Sequence, residues 1–283
     1  MIRLGVHCSL KDGLSGAVIE AYEKQCQSMQ IFTKSPRIWK MRYPSKEEVQ
    51  NFKTLRAKYK IYPLVIHTPY LPNLATSDEV LYNKSFDALT GDVEISALLD
   101  ADYLVIHPGS YSINSTSRLG IEKIANAINK VIENDTSKTI ILLENVSGGG
   151  RRIGSSFEEL AEIISLINNK QKIGICFDTA HAFAAGYDIR SKATVDKTLC
   201  NFDKIIGLKR LKALHLNDSM AAFLSKRDRH QHIGKGEIGL DGFAALLNAL
   251  KNIADCGILE TPKDTPDSDN INLSALFNLI VGK

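Results

Sequence analysis

Short apolar runs alternate with longer amphipathic stretches along the whole chain. The runs that read as strands occupy residues 3–7, 30–33, 63–68, 103–107, 139–145, 172–177, 211–216 and 257–260. They are rich in Ile, Val and Leu and carry few polar residues before their last positions, as expected of parallel strands covered on both faces. Helical patterns lie between them, at 10–25, 46–59, 81–99, about 193–206 and 271–280. After the fourth strand, Ile121, Ile124, Ile128 and Val131 recur at spacings of three and four and define one buried face. Ser156 and Glu159 have the spacing of a capping box at the start of the next helix. After the seventh strand a long basic connection leads to Phe243, Leu246, Leu247 and Leu250 on one helical face. Pro36 blocks an immediate helix after the second strand.

Eight such units follow one another with no linker or compositional break, which predicts a single closed (β/α)8 barrel over residues 1–283. A doubly wound open sheet is the alternative, but it has to align eight parallel strands without closing. The strand ends favour the barrel. Strands three to eight end in His67, His107, Glu144, Asp178, His215 and Glu260, all potential metal ligands. A barrel gathers them around one mouth, whereas an open sheet spreads them along an edge. Each alone has a plain explanation, such as a helix cap or a core histidine. Together, acids and histidines at one dry mouth call for a cation.

Asp178 and His181 sit three residues apart where a buried strand gives way to an Ala-rich turn. Taken alone, Asp178 reads equally as a cap of that turn or as a ligand. In the loop after strand seven, KRDRHQH sets Asp228 and His230 two residues apart, with His232 nearby. With His181 they supply one more carboxylate and two more imidazoles. The candidate set is thus five histidines, two aspartates and two glutamates, more than one or two zinc ions need. Imidazole and carboxylate without thiolate suit catalytic zinc, with manganese or iron as alternatives. Hydrolysis at phosphorus is the chemistry such a cluster does best.

Composition adds limits. With 44% hydrophobic and 24% charged residues the chain is an ordinary globular protein, and a formal charge of +3 neither demands nor excludes nucleic acid. The cysteines Cys8, Cys26, Cys176, Cys200 and Cys256 are scattered, with neither disulfide-framework nor zinc-knuckle spacing. No leader and no membrane-length apolar run is evident, so the expected setting is intracellular and away from membranes.

The blocks GVHCS, HPGS, FDTAHAFAAGYD, HLNDS and DRHQHIGKGEIG, in this order and with ILET near the end, resemble the endonuclease IV family of apurinic/apyrimidinic endonucleases. The likeness runs from residue 4 to about 261. It implies a TIM barrel with three zinc ions on the same positions: His67, His107 and Glu144 for the first, Glu144, Asp178, His215 and Glu260 for the second, and His181, Asp228 and His230 for the third. Glu144, Asp178 and Glu260 are then the catalytic carboxylates. The implied reaction is hydrolysis 5′ to an abasic nucleotide in duplex DNA, with a metal-bridged hydroxide as nucleophile, and trimming of blocked 3′ ends. The abasic nucleotide has to leave the helix, and a missing base lowers that cost. A monomer is expected, because a duplex must reach the mouth.

The same resemblance puts Arg37, Tyr70 and Leu71 in the minor groove at the gap left by the flipped nucleotide. Lys34, Arg151, Arg152, Lys226, Arg227 and Arg229 are expected phosphate contacts, and Gly148, Gly149 and Gly150 allow close backbone approach. The chain departs from the family in the loop after strand two, at Ser35, Pro36 and Ile38, and in the glycine loop, at Gly149, Arg151 and Arg152. Two other readings stand beside this one. A barrel sugar isomerase or epimerase has similar strand-end ligands but no task for the DRH pair or the basic loops, and a lesion-binding protein without turnover has none for a full ligand set.

Overall fold

The computed structural model describes residues 1–35 and 37–281. Pro36, expected to hold off a helix, lies outside the described residues. Eight parallel strands close in sequence order: β1 (Arg3–His7), β2 (Ser28–Phe32), β3 (Leu64–His67), β4 (Tyr103–Ile106), β5 (Ile140–Glu144), β6 (Ile173–Asp178), β7 (Leu211–His215) and β8 (Cys256–Leu259). β1 pairs with both β2 and β8, which closes the ring. The helices are α1 (Gly13–Glu23), α2 (Lys46–Tyr59), α3 (Glu79–Leu98), α4 (Ser117–Glu133), α5 (Phe157–Leu166), α6 (Thr179–Ala185), α7 (Lys192–Ile205), α8 (Gly239–Leu250) and α9 (Ser268–Val281). Among the described residues no helix is long and apolar enough to cross a membrane. The cysteines are free thiols.

The period of two along each strand positions the site. Leu64 and Ile66 belong to the large core between strands and helices, whereas Val65 joins a separate cluster inside the barrel. Val65, Val105, Leu142, Cys176, Ala213 and Ile258 all belong to that inner cluster. Two residues beyond each of them stands His67, His107, Glu144, Asp178, His215 or Glu260. Side chains two apart on a strand share a face, so an apolar inner layer is followed by a layer of acids and imidazoles. Where β1 meets β2 a side chain is excluded, because a Cβ on Gly5 stands only 2.1 Å from the Ser28 carbonyl oxygen.

Local signals act as their residues dictate, with one difference. The α4 stripe is buried and Thr116 accepts from the Leu119 N–H at 3.3 Å. At α5, Ser156 accepts from the Glu159 N–H, but the Glu159 carboxylate accepts from Gly154 and Ser155 rather than from the cap itself. The Glu thus braces the turn that leads out of the glycine loop.

The loop from β7 to α8 hangs on one carboxylate. Asp218, fully buried, accepts from the N–H groups of Ser219 and Ile238 on one oxygen and from Gly234 and Gly236 on the other, at 2.8–3.1 Å. Gly236 packs so tightly that a Cβ there lies 2.4 Å from the Ser219 carbonyl oxygen. A short antiparallel pairing of Ser219 with His230 then turns the DRH segment back over the mouth. Removing the carboxylate strands several buried donors. Asp218→Ala is therefore expected to cost about 2–5 kcal/mol of stability in denaturant unfolding, and a change under about 0.5 kcal/mol would mean the loop is held by other contacts.

Candidate metal centre

Glu144 lies at the middle of the mouth, fully buried. One of its oxygens is 3.0 Å from Nε2 of both His67 and His107. The other is 3.0 Å from Nδ1 of His215 and 3.2 Å from Nδ1 of His181. Glu260 stands 3.3 Å from the same His215 nitrogen, and Asp178 is 3.9 Å from it and 3.7 Å from Nε2 of His230. Donor atoms within 4.8 Å of one another form the sets His67–His107–Glu144, His67–His215–Glu260, Glu144–Asp178–His215–Glu260 and Asp178–His181–His230. Asp228 is in none of these sets. It reaches the third group through His181 at 3.2 Å and His230 at 3.4 Å, from the solvent side, with 46% of its side chain exposed.

Asp178 serves as both cap and candidate ligand. Its Oδ1 accepts from the His181 N–H at 2.7 Å and opens α6, while its Oδ2 faces the cluster and accepts from Asn217 at 2.7 Å. The two sequence readings of this residue describe its two oxygens. His232 instead pairs with Asp264 at 3.1 Å and with Asn272, in none of the ligand sets.

Electrostatics follows from crowding. Burial favours the neutral acid at Glu144, yet the imidazoles of His215 and His107 hold its carboxyl well below the usual range. Glu260 is likewise driven well down against burial, by the imidazoles of His215, His7 and His67 around it. His181 is pushed well above the ordinary imidazole value in spite of burial, by Asp178, Asp228 and Glu144. His215 rises as well, against burial, beside Cys176, Glu260 and Glu144. Burial opposes ionisation at Asp228, but His181 brings it down to about 2. Protons on His181 and His215 thus balance carboxylates that a cation would otherwise balance.

Ring orientation provides the test of fit. Nδ1 of His67 faces the Thr68 carbonyl at 2.6 Å, Nδ1 of His181 the Asn145 carbonyl at 3.0 Å, and Nδ1 of His230 the Glu260 carbonyl at 3.2 Å. With Nδ1–H given to a carbonyl, Nε2 is the nitrogen turned toward the carboxylates and the one that would offer its lone pair to a metal, the arrangement of metal-binding histidines. The buried Nε2 of His230 has no hydrogen-bond partner among the described residues. These donors fit a metal with a preference for nitrogen and oxygen.

Several supporting residues escaped the sequence reading. Asn217 donates to Asp178 and accepts from the Glu260 N–H at 2.8 Å, tying two ligand-bearing strands together. Asn145 clamps the Asp178 backbone from both sides, at 2.8 and 3.0 Å. His7 and Gln30 occupy the mouth positions of β1 and β2. The signal for them was available, since they stand two residues beyond the small Gly5 and Ser28 as the ligands stand beyond the inner apolar layer.

Around the mouth, Arg37, Arg151, Arg152, Lys226, Arg227 and Arg229 are exposed. Tyr70 is 66% exposed and leans over the site, its ring 6.1 Å from His107 and 6.2 Å from His67, with Leu71 half-buried beside it. Arg151 donates to the Tyr111 carbonyl at 3.0 Å and Arg152 to the Gly148 carbonyl at 3.3 Å, so both cations are steadied by backbone oxygens. Lys34 departs from its expected role as a phosphate contact. Its ammonium is buried 3.2 Å from Asp92 and beside the Met41 sulfur, where it braces the loop after β2.

Residues 20–277 match the sequence family described as xylose isomerase-like TIM barrel. The chain is 42% identical over 276 residues to a Halothermothrix orenii protein named probable endonuclease 4, covering 98% of this chain and 99% of that one. The crystal structure of endonuclease IV from Thermus thermophilus superposes with a TM-score of 0.87 at 35% identity, covering 99% of this chain and 100% of that one. A D-tagatose 3-epimerase-like protein superposes with a TM-score of 0.77 at 23% identity over 99% of this chain and 97% of that one, a likeness of fold alone. What separates these neighbours is kinship in sequence, and by that measure the chain belongs to the endonuclease IV family of apurinic/apyrimidinic endonucleases.

Proposed function

We propose that the protein hydrolyses the phosphodiester 5′ to an abasic nucleotide in duplex DNA, leaving a 3′-hydroxyl, and that it also trims blocked 3′ ends. The observation that carries this reading is the ring of buried imidazoles and carboxylates at the strand ends. We assign it three zinc ions: one to His67, His107 and Glu144, one to Glu144, Asp178, His215 and Glu260, and one to His181, Asp228 and His230. Residues 1–283 then act as one catalytic unit, a monomer inside the cell.

Zinc bound there supplies Lewis acidity at the phosphoryl oxygens and a water acidic enough to attack phosphorus at neutral pH. The remaining tasks fall to the chain. Glu144 offers one oxygen to each side of the cluster, and the carboxylates of Glu144, Asp178 and Glu260 hold the negative charge that keeps the cations in position. Arg37, Tyr70 and Leu71 suit the gap left by an everted abasic nucleotide, an apolar and cationic wedge beside the mouth. Arg151, Arg152, Lys226, Arg227 and Arg229 suit the flanking phosphates, so a chain of formal charge +3 still offers a basic rim. A sugar epimerase would have no use for that rim.

Incision of a duplex carrying one abasic analogue tests the reading. Cutting on its 5′ side should vanish after prolonged chelation and return with zinc, and Glu144→Ala should lower it by about 10³-fold or more; cutting that persists without metal would overturn the assignment. Uptake of zinc has a proton signature. His181 and His215 hold protons above the usual imidazole range before metal binds, so the metal must displace them. Affinity should therefore rise with pH up to the raised imidazole range, above the ordinary value of about 6.5, and weaken steadily below it, with proton release visible by calorimetry in buffers of different ionisation enthalpy. The rim makes a separate prediction: Arg151→Ala with Arg152→Ala should reduce the slope of log affinity against log salt by about 2 and leave zinc content unchanged. An unaltered slope would exclude both cations from the phosphates.

A further inference from the structure

β1 and β2 supply none of the assigned ligands, yet their mouth positions are filled by His7 and Gln30, side by side in register. Gln30 is fully buried. Its Nε2 donates to Glu260 Oε1 at 2.6 Å and lies 2.9 Å from Nδ1 of His7, while its Oε1 lies 2.8 Å from Nε2 of His215. One amide thus reaches from β2 past β1 and β8 to β7.

We infer that Gln30 is a positioning residue of the metal centre, fixing a hydrogen on Nε2 of His215 and so turning Nδ1, the nitrogen left for a metal, toward Glu144 and Glu260. This rests on the zinc reading proposed above. The polarity of the amide follows from donor counting. An ionised carboxylate only accepts, so the edge of Gln30 that meets Glu260 is the NH2 edge. The second amide hydrogen goes to His7 Nδ1. The carbonyl edge is left for His215, and because it too only accepts, His215 Nε2 must carry the hydrogen. Its Nδ1, 3.0 Å from Glu144 and 3.3 Å from Glu260, is then the nitrogen whose lone pair a cation between them would take once the proton there is displaced. Turning the amide over would set its oxygen 2.6 Å from a carboxylate oxygen in a dry site, a contact of two acceptors.

His215 differs in this respect from its neighbours. His67, His181 and His230 are oriented by backbone carbonyls, which any side-chain change leaves in place. His215 is oriented by a side chain, and that side chain holds a second ligand, Glu260, at the same time. Loss of Gln30 should therefore weaken the metal held by His215 and Glu260 and spare the one held by His181, Asp228 and His230.

The test is zinc release to a competing chelator, followed for the zinc-loaded wild type, Gln30→Leu and Gln30→Glu. Gln30→Leu removes the hydrogen bonds, and Gln30→Glu keeps the shape while setting a carboxylate against Glu260. Both should release one zinc on the order of 10–100 times more readily than wild type, the usual effect of removing an outer-shell partner, with the remaining zinc held as before. Release within about threefold of wild type, well below that range, would overturn the inference. Wild type that takes up no zinc in the same titration would overturn the zinc reading itself, and this inference with it. Should neither variant fold, nitrogen-15 spectra of histidine-labelled, zinc-loaded wild type decide the matter. A protonated Nε2 and a metallated Nδ1 at His215 are expected, and metal on Nε2 would sink the proposal.

Discussion

Three carboxylates within a few ångströms of one another, two of them fully buried, repel unless positive charge stands among them. Most of what is unusual about this barrel follows from that constraint. The apolar inner layer excludes water from below, so Glu144, Asp178 and Glu260 cannot be screened and must be matched locally. Imidazoles supply part of the match, and a metal would supply the rest. The orientation of those imidazoles is accordingly fixed by carbonyls and amides rather than left to rotate.

Rigidity of the site is built from short polar links between strands that are already packed. Asn145 and Asn217 bind backbone and carboxylate groups across neighbouring strand ends, and Thr179 donates to the Asn217 carbonyl at 2.6 Å while accepting from the Asn217 N–H. Asp218 extends the same principle outward, since it organises the loop that delivers Asp228 and His230. The result is a gradient. Glu144 and His215 are sealed, His107 is one-third exposed, and Asp228 nearly half. DNA would meet the exposed side of this gradient first.

Strand ends and the closed topology were legible in the sequence because both depend on local runs and on the period of two. The loop residues Asp228 and His230 were legible through spacing together with family resemblance, since their approach to the mouth depends on Asp218 and on a two-residue ladder that no periodicity announces. Gln30 was missed because a neutral amide within a strand carries no charge signal, and His7, although it ends the first strand, because the second strand separates it from the unbroken run of acids and histidines that starts with the third. Lys34 was misread for the opposite reason. A lysine in a loop looks free until its partner is known, and Asp92 lies on α3, 58 residues away. Pairing at such separation is decided by the fold, which brings α3 against the loop after β2.

Asp178 carries two obligations on one short side chain, a helix start on one oxygen and the cluster on the other. Asparagine could keep the cap only by giving up an acceptor toward the mouth, and glutamate would reach the mouth only by moving its carboxylate away from the first turn of α6. The position is therefore closed to single-step change from two directions at once. In evolutionary terms it would act as a ratchet: a descendant of this barrel that alters its metal chemistry must either leave Asp178 alone or rebuild the turn after β6 in the same stroke.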